Sequence, residues 1–234
     1  MTPEIATGIA FFVVFLFSTT LHEAGHAWAA LRGGDPTAYH GGQVSLDPIP
    51  HIRREPFGML ILPLLTSVSI GWPMGYASAP YNPRWALKYP TRAALMALAG
   101  PAANLVIVIL CFIGLRLGAT AGIFTPPESL NFGMLTVTEA GALWSTLGQF
   151  LSIGFSLNLL LFVFNLLPFP PLDGSAAITL LMSKKVTARY QMFIWSSPFL
   201  GFIGIFAAWQ LFPPVFRPLF RAAISLLYPG VSYG

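Results

Sequence analysis

Five consecutive residues, His22-Glu23-Ala24-Gly25-His26, combine two metal-binding side chains with a proton acceptor. On a helix, positions i and i+4 stand one above the other, so both imidazoles can reach one ion. Glu23 stands beside the first of them and can take a proton from water activated at that ion. In this composition the chance count for such a spacing is about one in a thousand, so coincidence is a poor explanation. Three ionisable groups inside an apolar stretch are costly unless paired or hydrated, and by default mark a functional site. A pair of core histidines bonded to neighbouring helices would explain neither the glutamate nor the spacing.

Two histidines leave a catalytic zinc site one protein ligand short. The other acidic residues sort quickly. Glu4 stands at the edge of the first apolar run, Glu128 and Glu139 share a loop without Lys or Arg, and Asp35, Asp47 and Glu55 belong to a polar loop. Asp173 differs. It follows an apolar run directly, in Asn165-Leu166-Leu167-Pro168-Phe169-Pro170-Pro171-Leu172-Asp173-Gly174, where three prolines break the helix. Asn165, with an amide donor and acceptor, is suited to hold the backbone of an unwound peptide. Asn104 offers the same group, or packs one helix on another. His40 and His51, at irregular spacing in a polar loop, read as ordinary surface contacts.

The elements that must position these residues are membrane helices. Of 234 residues, 55% are hydrophobic and 9% charged, against about 25% charged in an ordinary soluble domain. Crossing a bilayer takes roughly 20 apolar residues. Ile5–Leu31, Ala93–Leu117, Ala142–Leu167 and Met192–Phe212 qualify, whereas Pro214–Tyr228, with Arg217 and Arg221, reads as an interfacial helix. The start Met1-Thr2-Pro3-Glu4 lacks the basic region of a signal peptide, so the first run is expected to be retained. The length fits one membrane-embedded domain over 1–234, with a catalytic core near 5–180 and C-terminal helices near 190–230. Cys111 is the lone cysteine, which excludes an internal disulfide.

Nine of the twelve Lys and Arg residues fall in three short polar stretches: Arg32, Arg53 and Arg54; Arg84, Lys88 and Arg92; Lys184, Lys185 and Arg189. The charge rule puts these stretches in the cytosol and the acidic stretch 118–141 outside. Both flanks of the apolar run Phe57–Tyr76 are then cytosolic, so that run is expected to re-enter rather than cross. Pro63, Gly71, Pro73 and Gly75 already break it. Irregular backbone at that depth survives only when buried in protein or lining a wet cavity. Re-entry also makes the first span and the span ending at Asn165 run the same way, which delivers His22, His26 and Asp173 to one side. The segment Tyr39–Asp47 reads as a short strand or hairpin near the site, able to pair with an unwound peptide or serving as an ordinary connection.

With these motifs in place, the chain resembles the site-2 protease family of intramembrane metalloproteases. The likeness runs from about Ser18 to Ser175 and includes Gly100-Pro101-Ala102-Ala103-Asn104. It implies His22, His26 and Asp173 as ligands of Zn2+, Glu23 as the catalytic acid, and Asn165 as a substrate-backbone contact. The stretch Gly75–Pro83 lacks the lysine expected before its first proline.

The expected fold is therefore an all-α polytopic membrane protein of four to six transmembrane helices, with a re-entrant or short β-hairpin region after the first. The expected function is hydrolysis of peptide bonds in membrane-spanning or membrane-proximal substrates. Expected partners are a transmembrane protein or peptide substrate, the lipid bilayer and a regulatory membrane partner, with no nucleic acid. The expected location is the cell membrane, with the active site toward the cytosol. The competing reading is a membrane metal-binding or transport protein without peptidase activity, which needs polar groups on successive helices beyond this one cluster.

Overall fold

A computed structural model gives the fold and describes residues 2–231 and 233. Met1, Ser232 and Gly234, the outermost parts of the expected 1–234 domain, lie outside the described residues. Thr2 caps the first helix with its hydroxyl and Pro3 takes the opening turn, where a missing N–H costs nothing. Helix α1 then runs unbroken over Pro3–Arg32 and ends on Gly33. Short helices α2 (Thr37–His40) and α3 (Pro48–Arg54) follow. A π-helical turn over Phe57–Ile61 leads into α4 (Leu62–Ile70), and α5 (Pro83–Lys88) precedes the long α6 (Pro90–Thr120). Helix α7 (Ala142–Asn165) is followed by α8 (Asp173–Ala177), a 3-10 turn at Ile178–Leu181, α9 (Lys184–Ser196) and α10 (Phe199–Leu227).

Four of these helices are long and apolar enough to cross a membrane: Glu4–Arg32, Pro90–Thr120, Ala142–Asn165 and Phe199–Leu227. Where helices pack among lipid tails, close approach of small residues replaces the hydrophobic drive. Gly25 of α1 sits against α6, where a Cβ would stand 2.8 Å from the Ala99 carbonyl oxygen. Gly154 of α7 faces the Cys111 sulfur of α6 in the same way. The largest buried cluster joins α6, α7 and α10 through Val108, Leu115, Phe155, Leu159, Phe216 and Leu227.

The fourth expected span needs correction. The chain breaks at Ser197-Pro198, and α10 continues through Pro213, Pro214 and Pro218 to Leu227, so Pro214–Tyr228 is no separate interfacial helix. Packing outweighs the local proline signal. Phe212, Phe216 and Phe220 stack along one face of α10, and Phe132 from the loop after α6 joins the stack. Membrane helices tolerate such prolines because neighbouring groups re-satisfy the freed carbonyls.

The expected strand is also corrected. Among the described residues no strand forms in 39–47 or 57–76; pairing is confined to isolated bridges Thr125↔Val137 and Asn131↔Met134. Asp35 accepts hydrogen bonds from the Thr37 N–H at 3.0 Å and from its hydroxyl at 2.5 Å, winding the start of the segment into α2, and Gly41-Gly42 turn it. The run 57–76 does double back. Gly71 turns it with φ +73°, Trp72 packs on Phe11 at 4.9 Å, and the Tyr76 N–H donates to the Gly58 carbonyl at 3.1 Å. Both of its ends therefore lie together. A Cβ on Gly58 would collide with the Tyr76 carbonyl, so glycine is what allows the return.

Candidate metal centre

Helix α1 presents His22, Glu23 and His26, all buried, with ligand atoms within 4.8 Å of one another. Asp173 reaches the same point from the first turn of α8. A tight turn delivers it: the Leu172 N–H donates to the Phe169 carbonyl at 2.8 Å, and the Ser175 hydroxyl donates to the Leu172 carbonyl at 2.7 Å. Gly174 lies directly on the Leu166 and Leu167 carbonyls, where no side chain fits. This folds α8 back over the end of α7 and against α6.

Each imidazole is held by its Nδ1. In His26 that nitrogen lies 2.8 Å from the Met96 carbonyl oxygen, which can only accept, so Nδ1 carries the proton. In His22 it lies 2.6 Å from Asn104 Oδ1 and donates likewise. The lone pairs are left on the two Nε2 atoms, which face each other at 3.0 Å. Asp173 closes the triangle, with Oδ2 3.1 Å from His22 Nε2 and Oδ1 3.3 Å from His26 Nε2. Acceptors this close repel unless a cation or proton lies between them. Donors about 2.0–2.1 Å from a tetrahedral zinc stand about 3.3 Å apart. The triangle fits.

A space for the ion is provided by α6. A Cβ on Gly100 would collide with His26 Nε2 and stand 2.6 Å from His22 Nε2, so the absent side chain leaves a hollow facing both nitrogens. Asp173 Oδ2 and Glu23 Oε2 are buried with no hydrogen-bond partner. A buried carboxylate oxygen without a donor is costly, and a cation beside it removes that cost.

Among the other residues singled out from the sequence, Asn104 adjoins this triangle through His22. Asn165 ends α7, and its Nδ2 donates to Leu161 of its own helix at 3.0 Å. Asn104 is fully buried, with its Oδ1 engaged by His22 and its Nδ2 by Asn158. His51 is buried rather than at the surface and donates from Nε2 to the Ser45 carbonyl at 3.0 Å; His40 is exposed beside Tyr39. Sequence reasoning missed Gly100 as the floor of the site and Asn158 altogether. Asn158 did carry a signal, as a polar amide inside the apolar run Leu157–Phe164.

Comparison with known proteins follows the same lines. The model of Peptidase family M50 matches residues 10–203. A protein of Bacillus subtilis (strain 168), YwhC, is 33% identical over 224 residues, covering 88% of this chain and 92% of the relative. Rip2 of Mycolicibacterium smegmatis is 32% identical over 180 residues, and Rip2 of Mycobacterium tuberculosis (strain ATCC 35801 / TMC 107 / Erdman) 34% over 179. Both alignments cover 75% of this chain and 59% of the relative. All three relatives are named "putative zinc metalloprotease". No solved structure gave a significant match to the chain.

Proposed function

The chain belongs to peptidase family M50, the site-2 proteases, and is a multi-pass intramembrane zinc metalloprotease; we propose that His22, His26 and Asp173 hold its zinc and that Glu23 moves the protons. The single observation that carries this reading is the triangle of acceptors at 3.0, 3.1 and 3.3 Å, open toward the hollow at Gly100. Zinc bound there supplies Lewis-acid polarisation of the scissile carbonyl and brings water toward hydroxide near neutral pH. Glu23, buried and with an unpartnered oxygen beside the two imidazoles, accepts the proton of the attacking water and returns it to the leaving amine. His22 and His26 keep their Nδ1 protons on Asn104 and Met96 throughout, which holds both rings in one orientation.

Substrates are proposed to be membrane-spanning or membrane-proximal segments that unwind locally. Asn165, whose amide oxygen remains free to accept, then holds the freed backbone. The basic stretches at the Arg32 end of α1 support a site that faces the cytosol of a cell membrane. The whole chain works as one catalytic unit, since α10 packs into the same core as α6 and α7. A metal transport protein is not favoured by family membership.

The test is cleavage of single-span substrates by purified protein in liposomes, with bound zinc measured alongside. Wild type is expected to cleave. Glu23→Gln is expected to keep its zinc and lose about 100-fold or more in rate. Full activity in that variant would end the assignment of Glu23.

A further inference from the structure

Asn158, about two thirds of the way along α7, touches neither the imidazoles nor the carboxylate of the site, yet a chain of hydrogen bonds that ends on His22 begins with it. Its Nδ2 lies 2.8 Å from the Gly154 carbonyl oxygen and 2.9 Å from the Ser18 hydroxyl. A carbonyl can only accept, which fixes this end of the carboxamide as the donor. Asn158 Oδ1 therefore faces Asn104, 2.9 Å from its Nδ2. Asn104 Oδ1 is in turn directed at His22 Nδ1, 2.6 Å away. The order of donors and acceptors is thus set by one backbone carbonyl, two residues removed from the site. Both asparagines are 0% exposed, so solvent supplies neither with a substitute partner.

We propose that Asn158 is a positioning residue for the metal centre: by locking the Asn104 carboxamide, it dictates which nitrogen of His22 is free to bind zinc. The inference rests on reading His22, His26 and Asp173 as the zinc ligands. Without Asn158, nothing holds the nitrogen end of Asn104, and its carboxamide can turn by half a rotation. The turned amide offers an N–H to His22 Nδ1, which must then accept. The His22 proton moves to Nε2 and points at the place of the ion. Groups that orient metal-bound histidines in this way typically account for about 10–100-fold in metal affinity.

The experiment is zinc affinity, measured by competition with a chromophoric chelator, on detergent-purified protein whose fold is checked by circular dichroism. Asn158→Leu is expected to weaken zinc binding about 10–100-fold. Adding Asn104→Asp to that variant is expected to recover most of the loss, because a carboxylate presents an acceptor to His22 whichever way it turns. Recovery is counted as the gain beyond that produced by Asn104→Asp alone. If Asn158→Leu does not fold, Asn158→Ser, too short to reach Asn104, is measured in its place. A folded variant that binds zinc as tightly as wild type overturns the proposal, and so does a loss that Asn104→Asp fails to recover. Wild-type zinc that survives His22→Ala refutes the ligand set itself, a separate result.

Discussion

Gly100 on α6 comes so close to His22 on α1 that a Cβ in its place would stand 2.6 Å from the imidazole Nε2. The space facing the two imidazoles is therefore defined by an absent methyl group. Gly100→Ala is expected to abolish stoichiometric zinc while leaving the helices intact, because alanine is the better helix former by about 1 kcal/mol. Metal analysis of the purified variant, together with its melting temperature, checks this. Retained zinc would show that the ion lies elsewhere.

The return of the run 57–76 gives a topological expectation. The Tyr76 N–H meets the Gly58 carbonyl, so Glu55 and Ser78 lie at the same end of this segment, where the Ser78 hydroxyl donates to Glu55 Oε1 at 2.7 Å. Single cysteines at Glu55 and at Ser78, introduced after Cys111→Ser, are expected to react with a membrane-impermeant thiol reagent from one face of the membrane. A cysteine at Glu139 should react from the other. Labelling of positions 55 and 78 from opposite faces would mean a full crossing.

Helix α10 is expected to depend on its aromatic stack rather than on its own propensity. Phe216 is buried and stacks on Phe212 at 4.8 Å, Phe220 at 5.6 Å and Phe132 at 5.9 Å. Phe216→Ala should cost about 3 kcal/mol, seen as a lower melting temperature, with zinc content unchanged. Loss of zinc in a protein that melts like wild type would place α10 in the metal centre instead.

Much of the candidate site was legible because it offends its surroundings. His22, Glu23, His26 and Asp173 are polar groups in or beside apolar runs, and such groups stand out in a sequence. The doubling back of 57–76 was legible from charge, since Arg32, Arg53 and Arg54 precede it and Arg84, Lys88 and Arg92 follow it. The continuity of α10 was not. Pro213 and Pro214 give a strong local stop signal, and what overrides it is Phe132, some eighty residues earlier in the chain. The segment Tyr39–Asp47 misled for a related reason. It reads as a strand or hairpin, while the Asp35 side chain, outside the segment, starts a helix at Thr37 that takes in Tyr39 and His40. Asn104 was read as a substrate contact or a packing residue because nothing local reveals that Asn158 and His22 occupy both ends of its amide.

Zinc K-edge X-ray absorption on the purified protein tests the centre most directly, recorded for wild type and for Asp173→Ala. The expected wild-type spectrum shows two imidazole nitrogens and oxygen donors about 2.0–2.1 Å from the metal, without sulfur. Loss of the zinc, or of one oxygen donor, is expected in the variant. A first shell lacking two imidazoles, or an Asp173→Ala spectrum identical to wild type, would contradict a centre built by α1 and the turn after α7.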